Sequence, residues 1–142
     1  MAFVNEKVPN GEREKLVEMG LWSFLGTFPG NNIDNKELMP YAWTRDEEND
    51  IVLLKGNQYC KPPYESKFGL LWKGKLIEFV LLQERKDNND IIWEMQREEI
   101  PPEFINMKDK LIEKLKEALK VYGMNGSFLP QYNCANEVKI LF

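Results

Sequence analysis

The segment spanning residues 75–84 constrains the fold more than any other part of the sequence, because both of its faces would be apolar if it formed a strand. Side chains alternate between the two faces of a strand. One face would carry Ile77, Phe79 and Leu81, and the other would carry Leu76, Val80 and Leu82. Strands that are apolar on both faces are typical of sheets covered on both sides. We therefore predict a central strand with structure packed on each face, at least in part.

Further strands are predicted from short apolar runs that are bounded by turn residues. They cover residues 41–45, 51–55, 68–72, 91–98 and 138–142. The polar five-residue connection at residues 46–50 indicates a hairpin. The dipeptide Lys73-Gly74 indicates another, because glycine readily adopts the positive φ of a tight turn. We expect these strands to pair in an antiparallel sheet.

Residues 91–98 show the alternation of a strand that is buried on one side only. The buried face would carry Ile91, Trp93 and Met95, and the solvent face would carry Glu94, Gln96 and Glu98. By the same alternation, Arg97 would continue the buried face at the end of the strand.

Helical periodicity marks two other segments. The longer one, residues 103–122, has apolar residues at intervals of three and four, namely Phe104, Met107, Leu111, Ile112, Leu115, Leu119 and Tyr122. Gly123 follows and is expected to end this helix. A short N-terminal helix is predicted to begin near Glu12, with Asn10 as its cap, and to end at Gly20.

Together these elements predict a single α+β domain over residues 1–142. Its antiparallel sheet would have five to six strands, with the long C-terminal helix packed on one face and the N-terminal segment on the other. An all-β barrel with an appended helix is the alternative architecture.

The 142 residues include no histidine, and this absence excludes several kinds of catalytic site. Ser-His and Cys-His nucleophiles are excluded, as are zinc sites with imidazole ligands. Cys60 and Cys134 are far apart in the sequence and form no CxxC motif. No cofactor or metal site is therefore predicted, and the sequence favours binding over catalysis.

The charge distribution bears on the class of partner. The net charge is −4, and the lysines of residues 103–122 are interspersed with acidic residues, so the sequence argues against nucleic-acid binding. No secretory signal and no apolar run long enough to cross a bilayer are found. We therefore expect a cytoplasmic protein that does not bind membranes and whose partner is another protein.

The strongest local charge feature is the acidic hairpin connection, which contains Asp46, Glu47, Glu48 and Asp50. Acidic surfaces steer association with basic proteins, although most polar loops are simply solvated. The aromatic residues Tyr41 and Trp43 lie just before this connection and could extend a partner-binding surface.

A candidate pocket is centred on Glu78, which interrupts the apolar face of Leu76, Val80 and Leu82. A carboxylate buried there without a partner would have a raised pKa. Alternatively, Glu78 lies where this face opens to solvent, or it pairs with Lys67 or Lys73. The other candidate pocket residues are Tyr59, Cys60 and Tyr64.

Three hypotheses about function follow. The first is a non-enzymatic protein-binding domain, and the second is a small enzyme or small-molecule binder with a carboxylate- or thiol-based pocket. The third is a structural subunit of an assembly, in which another chain covers one face of residues 75–84. As a small acidic α+β chain poor in catalytic residues, the protein is similar to bacterial immunity proteins that neutralise toxins. This similarity of general character, which no motif carries, implies an immunity- or inhibitor-like role.

Overall fold

The computed structural model describes residues 3–6, 9, 11–21, 43–58, 63, 65–86, 90–125 and 137–142. The strands are β1 (Phe3–Glu6), β2 (Trp43–Asp46), β3 (Ile51–Gln58), β4 (Glu65–Trp72), β5 (Lys75–Arg85), β6 (Ile91–Glu99) and β7 (Val138–Ile140). The helices are α1 (Glu12–Glu18) and α2 (Lys108–Asn125), and a 3-10 helix (Pro102–Met107) leads into α2.

The seven strands form one sheet in the order of the chain. Strands β1 to β6 pair antiparallel with their neighbours, whereas β7 runs parallel to β6. The α+β class is confirmed, but the prediction of five to six antiparallel strands needs correction. The sheet has seven strands and is mixed, because α2 carries the chain back across the sheet before β7 begins, and such a crossover joins parallel strands.

Both faces of β5 are covered in part, as its sequence predicted. Ile77, Phe79 and Leu81 are fully buried in a core that includes Leu111, Leu115 and Leu119 of α2. Phe3 of β1 belongs to the same core, and Val138 of β7 packs against it. The sheet therefore curls around α2 from both edges. On the opposite face, Leu16 of α1 packs with Val52 and Leu54 of β3, and Leu76 of β5 lies against this second cluster.

Helix α1 ends at Glu18, and Gly20, the predicted stop residue, follows its C-cap Met19 with a φ of 75°. The amide of Gly20 donates to the carbonyl of Val17 at 3.0 Å, and the amide of Leu21 donates to that of Leu16 at 2.9 Å. This pair of bonds is the Schellman motif, which favours glycine. At the other end of α1, Gly11 occupies the N-cap position that we predicted for Asn10, which lies outside the described residues.

The long C-terminal helix differs from its prediction at both ends. Its first turns are a 3-10 helix, in which the amide of Phe104 donates to the carbonyl of Pro101 at 2.9 Å. At the other end, α2 continues through Gly123 to Asn125. A glycine inside a helix costs about 1 kcal/mol relative to alanine. The burial of the apolar stripe of α2 against the sheet outweighs that cost.

A β-bulge interrupts the alternation of β6. Leu81 pairs with Met95 and Val80 with Arg97, which leaves Gln96 as an extra residue. Beyond the bulge the two faces exchange, so Arg97 shares the face of Val80, and the predictions for Arg97 and Glu98 are wrong.

Glu98 now lies on the face that packs on α2, where its carboxylate pairs with the Lys108 amine. The hydrogen bond to Glu98 and its negative charge raise the pKa of Lys108.

Candidate functional site

The acidic hairpin connection begins at a buried carboxylate. Asp46 ends β2, and its pairing with Phe3 and Ile51 places it on the sheet face that packs on α2. Its side chain is 0% exposed, and the Lys114 amine on α2 donates a 3.0 Å hydrogen bond to Oδ2. Because the Lys114 side chain is only 17% exposed, this is a largely desolvated ion pair that joins the helix to the sheet.

The same carboxylate organises the turn that follows. Oδ1 of Asp46 accepts hydrogen bonds from the amides of Glu48 at 3.0 Å and Asn49 at 3.2 Å. Oδ2 accepts a further bond from Nδ2 of Asn49 at 2.9 Å. An aspartate that accepts bonds from amides two and three residues ahead stabilises a local turn. Both carboxylate oxygens are therefore satisfied, and the backbone of residues 48–49 is fixed relative to the core.

Asp46 has a pKa below the ordinary value for aspartate. Burial acts to raise the pKa, but hydrogen bonds from Asn49 and Lys114, together with the positive charge of Lys114, outweigh it. Asp46 is consequently ionised at neutral pH, as the ion pair with Lys114 requires.

The other three acids of the turn, Glu47, Glu48 and Asp50, are exposed. Arg45 approaches two of them, with Nη2 3.9 Å from Glu47 Oε1 and Nη1 4.0 Å from Asp50 Oδ1. Contacts this long between exposed groups contribute little energy. Three carboxylates beside one guanidinium leave the turn with a net negative charge, since Asp46 and Lys114 neutralise each other.

The structure thus divides the residues predicted to bind a partner. Glu47, Glu48 and Asp50 are accessible, whereas the buried side chain of Asp46 can act only by holding the turn. Trp43 opens β2 opposite Glu6. Tyr41 lies outside the described residues.

Of the residues predicted to form a pocket, only Glu78 is among those that the structure describes. The Glu78 side chain is 28% exposed, and its Oε1 lies 3.6 Å from Nζ of Lys67 on the neighbouring strand β4. The pairing with Lys67 that we offered as an alternative is confirmed. Tyr59, Cys60 and Tyr64 lie outside the described residues, so their relation to Glu78 stays a prediction.

Sequence reasoning missed the residues that support the turn, Asn49 and Lys114. Lys114 lies three residues after the buried Leu111 and next to the buried Leu115. Its position on α2 therefore indicates a lysine at the border of the face that packs on the sheet. Lys55 carried a similar signal, because it continues the alternation of Ile51 and Leu53. It pairs with Phe68 on the α2 side of the sheet, and burial lowers the pKa of its amine.

Two further polar groups are buried on the α2 side of the sheet. Among the described residues, neither Oγ of Ser66 nor Nε1 of Trp93 has a hydrogen-bond partner. The Trp93 ring meets Phe68 edge to face, with 6.0 Å between ring centroids. These groups lie in the core, at a distance from the acidic turn formed by residues 46–50.

Neither a metal-binding group nor a membrane-spanning helix is found among the described residues. No group of three or more acidic or cysteine side chains there could hold a metal ion. No helix there is long and apolar enough to cross a membrane.

Comparison of the chain with protein-family models, with curated proteins and with solved structures finds no match.

Proposed function

We propose that the protein is a non-enzymatic binding domain that docks a basic protein partner on the turn at residues 47–50. The observation that carries this proposal is the role of Asp46, whose buried carboxylate holds the amides of Glu48 and Asn49. The exposed carboxylates of the turn are therefore attached to a backbone that is ordered before any partner binds. Preorganisation reduces the entropy lost on association, and negative charge accelerates encounter with a basic surface.

The environments of the candidate acids favour binding over catalysis. A general acid or base needs a perturbed carboxyl group within reach of a substrate. Asp46 is buried against Lys114, and the partly exposed Glu78 pairs with Lys67. Neither carboxylate shares a cleft with a nucleophile among the described residues.

An immunity- or inhibitor-like role in a bacterial cytoplasm is the biological setting that we infer for such a domain. Carboxylates complement the lysine and arginine side chains with which basic proteins contact nucleic acids and other anions. A preformed acidic turn could therefore cover such a surface on a partner.

The test compares three forms of the full chain immobilised for affinity capture from the native host. The first is the wild type, and the second carries Glu47→Gln, Glu48→Gln and Asp50→Asn. The third carries Glu14→Gln, Glu18→Gln and Glu113→Gln, which removes the same charge from exposed helical positions. We expect a basic protein to be retained by the wild type and the helical control but lost by the turn variant.

Binding of the captured protein is then measured in purified form at low and high salt. The turn variant should show a slower association rate and a weaker dependence on salt than the helical control. Equal losses in the two variants would mean that only net charge matters. Unchanged binding in the turn variant would contradict the proposal.

A further inference from the structure

A second surface lies at the far end of the sheet from the acidic turn, on the face opposite α2. It is an open groove of about 240 Å³ lined by Pro63, Leu82, Gln83, Glu84, Ile92 and Glu94. The pairings of Asp46 with Ile51, and of Ile51 with Trp72, place the acidic turn at the end of the sheet where β4 finishes and β5 begins. The groove lies at the other end of β5.

The groove is lined by two apolar side chains and two carboxylates, which alternate between its two strands. Leu82 pairs with Glu94, and Glu84 pairs with Ile92, across the β5–β6 ladder. The two half-buried apolar side chains therefore lie on one diagonal and the two exposed carboxylates on the other. Diagonal neighbours on one face of an antiparallel pair are about 7–8 Å apart.

We propose that this groove binds an arginine side chain from a partner polypeptide. Its volume lies below the roughly 300 Å³ at which pockets for small molecules begin, so it suits a side chain better than a free ligand. The apolar diagonal can cover the methylene stem of arginine while the charged head stays near solvent. A planar guanidinium with five N–H donors can reach carboxylates on both sides, which a lysine ammonium does less well.

The protein's own Lys86 already contacts one of the two carboxylates of the groove. Nζ of Lys86 lies 2.9 Å from Oε1 of Glu84, and both side chains are about half exposed, at 49% and 61%. Exposed pairs of this kind are weak, so an incoming arginine can replace the Lys86 contact. Removing Lys86 should therefore strengthen binding in the groove.

The test titrates three small probes into the full chain while the ¹³C-methyl NMR signals of Leu82 and Ile92 are followed. The probe n-butylguanidinium carries both the stem and the cation, n-butylurea carries a neutral head, and guanidinium lacks the stem. We expect saturable shifts with n-butylguanidinium at millimolar concentration. Binding should be at least threefold weaker for n-butylurea, which lacks the charge, and for guanidinium, which lacks the apolar stem.

Variants of the groove sharpen the same titration. Glu84→Gln and Glu94→Gln should each weaken n-butylguanidinium binding about threefold, and Lys86→Ala should strengthen it. Glu99→Gln is the matched control, because Glu99 is an exposed acid of β6 outside the groove, and it should leave the dissociation constant unchanged.

Several results would overturn the inference. Equal binding of n-butylurea would mean that the groove recognises only apolar surface, and an equal loss in Glu99→Gln would mean that it responds only to net charge. Absence of saturable shifts would remove the site altogether. The inference stands apart from the acidic turn, because neutralising Glu47, Glu48 and Asp50 should leave this titration unchanged even if the turn binds nothing.

Discussion

Asp46 and Lys114 are 68 residues apart in the sequence, yet their side chains meet in a 3.0 Å ion pair between the sheet and α2. On the α2 face of β2 the buried side chains of Thr44 and Asp46 are polar, so polar contacts act together with apolar packing at this side of the core. The same carboxylate accepts hydrogen bonds from the Glu48 and Asn49 amides of the acidic turn. The position of α2 and the conformation of the turn are thus linked through one side chain.

Breaking this ion pair from either side should destabilise the fold strongly. Lys114→Met leaves the Asp46 carboxylate desolvated without its ion-pair partner, which costs about 3 kcal/mol. Asp46→Leu leaves Lys114 with only the longer 3.8 Å contact to the partly exposed Glu117, and it also removes the hydrogen bonds from the Glu48 and Asn49 amides. The double variant should lose less than the sum of the two single losses, because it leaves no unpaired charge. Urea unfolding of the four proteins gives the coupling free energy. Lys116→Met is the control, since Lys116 pairs with the exposed Glu113, and its loss should stay within about 1 kcal/mol.

The contribution of Asp46 to stability should disappear in acid. Its pKa is lower in the folded chain than the value of about 3.9 expected for the unfolded chain, so the unfolded state takes up a proton first as the pH falls. The stabilisation is complete above the unfolded pKa and is lost as the pH falls through the folded pKa. The difference in the free energy of unfolding between the wild type and Asp46→Asn, measured by urea from pH 7 to pH 3, should therefore shrink as the pH falls below about 3.9. A constant difference between the two proteins would contradict this assignment.

Ser66→Ala should stabilise the protein. Oγ of Ser66 is buried and has no hydrogen-bond partner among the described residues, so folding removes it from water without compensation. Replacing such a hydroxyl by hydrogen should raise the free energy of unfolding by about 1 kcal/mol. Thr44→Val serves as a comparison, because Thr44 is equally buried but has an interaction partner. The Thr44→Val variant should therefore have a lower free energy of unfolding than the wild type. Destabilisation of Ser66→Ala would show that a water or another group satisfies the hydroxyl.

The local features of the fold could be predicted from the sequence because local physics determines them. The two-sided apolar pattern of β5 identified an interior strand, and the dipeptide Lys73-Gly74 identified its hairpin, in which both residues adopt positive φ. The end of α1 just before Gly20 could be predicted from the same conformational freedom of glycine.

Features that depend on tertiary pairing could not be predicted in this way. Strand β1 has four residues and gains its stability from pairing with β2, some forty positions later. The bulge at Gln96 changes the hydrogen-bond register without changing the residue types, so the alternation alone misplaced Glu98. The acidic turn was recognised as a charge feature, but only the contact with Lys114 separates the buried Asp46 from its exposed neighbours.

Amide hydrogen exchange tests most directly the claim that Asp46 orders the turn. The exchange rates of the Glu48 and Asn49 amides should be compared in the wild type and Asp46→Ala, with the amide of Phe79 in β5 as the internal reference. Both turn amides should be protected in the wild type and should exchange at nearly the unprotected rate in the variant, while Phe79 remains protected. Equal protection of Glu48 and Asn49 in the two proteins would show that the turn is ordered without Asp46.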